Sequence, residues 1–61
     1  MKILIVEDEI IYQDALLMCV ERLNDKGARI IARLAYSSSE ALHIAHEWQP
    51  HAIICDQNLG N

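Results

Sequence analysis

Three short apolar runs are separated by two stretches in which apolar residues recur every three or four positions, an alternation that predicts strand, helix, strand, helix, strand. Lys2 to Val6, KILIV, is apolar without alternation, the pattern of a strand buried on both faces. From about Glu9 to Asp25 the period is helical: Tyr12, Leu16, Cys19 and Leu23 form a stripe flanked by Ala15 and Val20, and Gly27 is placed to end the helix. The acids Glu7, Asp8 and Glu9 near its start suit the positive end of the helix dipole. Arg29 to Leu34, RIIARL, is a second strand, less apolar and therefore expected at a sheet edge. Ser37 then caps a second helix, with Glu40 three residues on to reach back in a capping box. That helix runs through Ala41, Ala45 and Trp48 and ends by Gln49, because Pro50 follows. Ala52 to Cys55 is the third strand, expected to be buried.

Two consecutive strand-helix-strand units mean parallel pairing with right-handed crossovers, an α/β architecture in one domain over residues 1–61. A chain of 61 residues buries only about 60% of the surface of its unfolded form. Hydrophobic residues nevertheless make up 52% of it, more than a disordered segment carries. The formal charge is −4 and the five basic residues are dispersed in sequence, which leaves no electrostatic footprint for nucleic acid or an anionic membrane. No apolar run approaches the ~20 residues of a membrane span, so a soluble, cytoplasmic protein is expected. Cys19 and Cys55 sit in apolar segments without zinc or disulfide spacing and read as reduced core residues.

The other polar candidates have structural readings. His43, His46 and Glu47 lie opposite the Ala41, Ala45 and Trp48 stripe, on a solvated helix face; His51 beside Pro50 is an exposed turn residue; Ser37 to Ser39 form a capping loop rather than a catalytic serine site; Trp48 belongs to the core. The first helix carries more apolar surface than one sheet contact needs. Ile11 and Met18 flank its stripe on one side, Ile10 and Leu17 on the other, and only Asp14 and Glu21 make a polar strip.

Chemistry in an open parallel sheet gathers beyond the carboxyl ends of the strands, where Glu7, Asp8 and Asp56 fall. If the first and third strands are neighbours, about 5 Å apart, the three carboxylates converge. Such a cluster must take up protons or hold a cation, and an all-oxygen donor set selects a hard ion, Mg²⁺ first. A metal there would let an anionic phosphate approach Asp56, which could act as a nucleophile forming an aspartyl phosphate. A lone carboxylate cluster without a general base or substrate pocket does not make an enzyme site.

VEDE at Val6 to Glu9 and CDQNLG at Cys55 to Gly60, two strand-helix units apart, resemble the N-terminal half of a response-regulator receiver domain of two-component signalling. The resemblance implies a flavodoxin-like half-domain with strand order 2-1-3. It implies Asp56 as the phosphoacceptor, Asp8 as a direct Mg²⁺ ligand, Glu7 acting on the metal through water, and Asn58 supplying its backbone carbonyl. It also implies a histidine kinase or phosphotransfer protein as the phosphoryl donor. Gly60 stands where the family usually has proline. The fourth and fifth strands, which in the family bring a hydroxyl residue and a lysine to the phosphoryl group, have no counterpart in residues 1–61. In the order 2-1-3 the third strand has an open outer edge, and a two-fold homodimer joining it antiparallel to its copy would cover that edge. Two functions follow as expectations: a phosphoacceptor signalling module, or a non-signalling half-domain that assembles as a homodimer.

Overall fold

The structure, a computed structural model, describes residues 1–55. Its elements follow the expected order: β1 (Lys2–Val6), α1 (Ile10–Asp25), β2 (Ile31–Ala35), α2 (Ser38–Trp48) and β3 (Ala52–Cys55). The strands form one parallel sheet of order β2-β1-β3, with Lys2 to Val6 opposite Ile31 to Ala35 on one side and Ile3 to Val6 opposite Ala52 to Cys55 on the other. This is an α/β fold with β1 at its centre. The placement explains why β1 reads as a continuous apolar run: Leu4, Ile5 and Val6 are buried on one face or the other.

The two faces differ in quality. On one, Leu4, Val6 and Ala35 pack against Ala41, Ile44, Ala45 and Trp48 of α2, the helical stripe expected from the sequence. Trp48 is half-buried, with the Lys2 ammonium 5.7 Å and the Arg33 guanidinium 4.9 Å from its ring centre. On the other face Ile5 and Ile54 lie side by side, and α1 packs toward β2. Helix α1 is rotated relative to its expected stripe. Tyr12, Cys19 and Leu23 are exposed, whereas Gln13 is buried and Leu16, Leu17 and Val20 are half-buried.

Three further expectations are corrected. Cys19 and Cys55 are exposed rather than in the core, Cys19 on α1 and Cys55 at the end of an edge strand. All four residues of β3 are exposed, because α2 packs on β1 and β2 and leaves both faces of β3 thinly covered. The second strand begins at Ile31 instead of Arg29, since Asn24 clamps the preceding turn: its Oδ1 accepts the Ile30 N–H at 2.8 Å and its Nδ2 donates to the Ile30 carbonyl at 3.0 Å.

The helix ends show local chemistry. Ser37 Oγ accepts the Glu40 N–H at 3.2 Å and lies 3.3 Å from Ser39 Oγ, so the cap forms; among the described residues Glu40 makes no return bond. Helix α2 stops at Trp48, with Gln49 left-handed at φ 52° ahead of Pro50. Gly27 turns the chain out of α1 at φ 107°. His51 is exposed, as expected, yet also tied to β1: its N–H donates to the Lys2 carbonyl at 2.8 Å and its Nδ1 accepts the Lys2 N–H at 2.9 Å.

Candidate functional site

The acids follow directly from the end of β1. Glu7 extends the ladder by one bond, its N–H donating to the Ala35 carbonyl at 3.0 Å, and the chain then turns into α1. Its side chain is 3% exposed. A carboxylate that deep requires hydrogen-bond partners, and Glu7 Oε1 accepts the Glu9 N–H at 3.1 Å. The bond serves an N–H that would otherwise be orphaned at the helix entrance, where Glu9 is the N-cap without a side-chain cap bond. The first turn of α1 itself carries no acidic residue; the three acids precede it, with Glu9 at the N-cap.

Asp8, one residue on, is exposed. The pair thus divides into a buried carboxylate held by a backbone N–H and a solvent-facing one. Both offer oxygen donors only, which suits a hard divalent ion such as Mg²⁺. Among the described residues, no three His, Cys, Asp or Glu side chains gather as a metal site. The sequence-predicted donors Asp56 and Asn58 lie outside the described residues, as does Gly60.

The register ties the acidic pair to the third strand. Val6 pairs with Cys55, so Glu7 follows one member of that pair in sequence and Asp56 follows the other. Beside them an open cleft of about 320 Å³ separates α1 from β3, lined by Glu7, Tyr12, Ala15, Leu16, Ile54 and Cys55. Apart from the Glu7 carboxylate at one end and the Tyr12 hydroxyl, its walls are apolar.

One residue at this site escaped the sequence reading. Gln13 is 4% exposed and donates from Nε2 to the Glu7 carbonyl at 2.6 Å, holding the turn that carries both acids. The signal was present: Gln13, Leu16, Leu17 and Val20 stand at i, i+3, i+4 and i+7, a polar residue at the head of an inward stripe. His43 Nε2 lies 3.6 Å from Glu47 Oε1 on the solvated face of α2, away from the acids.

No protein-family model, curated protein or solved structure matches this chain. Among the described residues no helix is long and apolar enough to cross a membrane.

Proposed function

We propose that this chain is a phosphoacceptor receiver module of the two-component type, or a fragment of one, with a flavodoxin-like half-domain fold. The observation that carries the reading is the parallel pairing of β1 with β3 at Val6 and Cys55, because the acidic pair and Asp56 are the residues next in sequence after that paired end. In this reading Glu7, Asp8, Asp56 and the Asn58 backbone carbonyl hold Mg²⁺. When bound, the ion offsets the repulsion between the Asp56 carboxylate and the phosphoryl oxygens. The Asp56 carboxylate oxygen attacks phosphorus in line, the bond from phosphorus to the donor imidazole nitrogen breaks, and that nitrogen leaves with the electron pair. Glu7, buried and held by the Glu9 N–H, keeps its carboxylate oriented while Asp8 stays open to solvent. The donor is a histidine kinase or phosphotransfer protein.

Incubation with acetyl phosphate and Mg²⁺, followed by intact-mass measurement, tests the reading. One phosphoryl adduct is expected, lost in Asp56→Asn and on chelation of the metal. No adduct on the unmutated chain would sink it.

A second reading is favoured by a separate observation. Ile53 and Ile54 are 55% and 42% exposed, and among the described residues no strand pairs with the outer edge of β3. Bare apolar faces beside an open edge suit a half-domain that assembles as a homodimer without signalling.

A further inference from the structure

The five lysines and arginines, dispersed along the sequence, are gathered by the fold at one end of the molecule. Lys2 opens β1, Arg22 and Lys26 stand at the close of α1, Arg29 lies in the turn before β2, and Arg33 is in β2 itself. In a parallel sheet the strands start, and the crossover helices finish, on the same side. Contacts close the group: the Met1 ammonium donates to the Arg29 carbonyl at 2.6 Å, the Asn24 side chain bonds Ile30, and Lys2 and Arg33 share the Trp48 ring. The one ion pair among the described residues joins His43 to Glu47, so none of the five bases is ion-paired among them.

Acids are divided unevenly between the two ends. Glu21, Asp25 and Glu47 share the basic end, Glu47 beside His43, and the bases outnumber them. Glu7, Asp8, Glu9, Asp14 and Glu40 lie toward the opposite end, which carries no lysine or arginine. The sixteen residues of α1 span about 24 Å between the ends, well beyond a screening length of about 8 Å. Each end therefore meets its surroundings as a separate charge, and the net charge of −4 does not describe the basic one.

Apolar side chains are interleaved with these bases. Met1 and Ile31 are each 62% exposed and are joined by the bond from the Ile31 N–H to the Met1 carbonyl at 2.8 Å, and Leu23 beside Arg22 is 50% exposed. Single-stranded nucleic acid asks for an open aromatic face, and this end has none: Trp48 is flanked by Lys2 and Arg33, while Tyr12 and Tyr36 stand at the acidic end. Exposed aliphatic residues among unpaired cations match the two layers of a lipid interface, anionic headgroups outside and acyl chains beneath.

We propose that the end carrying the five bases docks on an anionic phospholipid surface, with Met1, Leu23 and Ile31 entering the headgroup layer. The acidic end then points away from the membrane. Docking of this kind uses neither the acids nor the metal of the phosphoacceptor reading.

Co-sedimentation of the 61-residue chain with phosphatidylcholine vesicles, with and without phosphatidylserine, at near-physiological salt is the test. Arg29→Glu, Lys26→Glu, Ile31→Thr and Asp14→Lys, all at exposed positions, are compared after circular dichroism has checked that each folds. Binding only to the phosphatidylserine vesicles is expected, weakened at least about tenfold by either charge reversal at the docking end and about threefold by Ile31→Thr. Asp14→Lys, whose added charge sits beyond the screening length, should change it by less than about twofold. No binding to the anionic vesicles overturns the proposal, as does equal binding to both kinds or indifference to both charge reversals. A response to Asp14→Lys as large as that to Arg29→Glu also overturns it, since net charge alone would then be the cause. A single-stranded oligonucleotide is offered separately, with fluorescence anisotropy as the readout. A chain that takes it up and ignores the vesicles has a nucleic-acid interface at its basic end, and the lipid proposal falls.

Discussion

Gln13 stands where the backbone has left one regular element and not yet entered the next. The Glu7 carbonyl is beyond the ladder of β1 and ahead of α1, in a buried turn, so its acceptor has to be met by a side chain. Gln13 Nε2 meets it at 2.6 Å. Gln13→Leu keeps much of the packing volume and removes the donor, so it should destabilise the fold by about 1–3 kcal/mol, the cost of a buried acceptor left unmade. Urea unfolding reads this directly; a change within about 0.5 kcal/mol would mean that water reaches the carbonyl. At this scale the sequence was a partial guide. The acidic pair after an apolar strand was legible because strand ends in a parallel sheet are where polar groups collect. Gln13 was obscured because α1 is apolar around most of its circumference, and the competing stripe through Tyr12, Leu16, Cys19 and Leu23 has an equally good helical period.

The elements themselves were legible where end signals are local and chemical. Ser37, Gly27 and Pro50 each mark a helix end through their own backbone or side-chain properties. The start of β2 was not, because it depends on the two bonds from Asn24 to Ile30, a contact across six residues that no local pattern announces. Nor was the exposure of β3, since an apolar run looks the same whether its faces are covered or bare. Two left-handed positions give a paired prediction. Gly27 at φ 107° has nothing within 4 Å of where a Cβ would stand, so Gly27→Ala meets backbone strain alone and should cost about 1–2 kcal/mol. Gln49 occupies φ 52° with a side chain already present, so Gln49→Gly relieves strain there and should stabilise by a few tenths to about 1 kcal/mol. Thermal melts should therefore move in opposite directions for two substitutions at equivalent helix ends. A downward shift for both would mean that the unfolded-state entropy added by glycine outweighs the strain at Gln49.

As a whole molecule the chain depends on one well-packed side of one strand. Leu4 and Ile5 are its largest fully buried side chains, while β3 is bare on both faces. Typical stabilities of about 0.05–0.15 kcal/mol per residue give a domain of this size only about 3–9 kcal/mol to lose. Leu4 sits against α2 in the main cluster, and Leu4→Ala removes buried methyl groups from a small core, at about 2–5 kcal/mol. That loss is comparable to the whole stability, so the Leu4→Ala chain should be substantially unfolded at 25 °C by far-ultraviolet circular dichroism. Ile53 is on the same face of the sheet by register with Leu4, yet it is 55% exposed, and Ile53→Ser should cost less than about 1 kcal/mol. The contrast between two neighbours on one sheet face separates a strand covered by its own helix from one that is not. If Ile53→Ser proved as damaging as Leu4→Ala at concentrations where the chain dimerises, β3 would have to be buried in the assembly. The seam of that assembly would then lie along the strand edge.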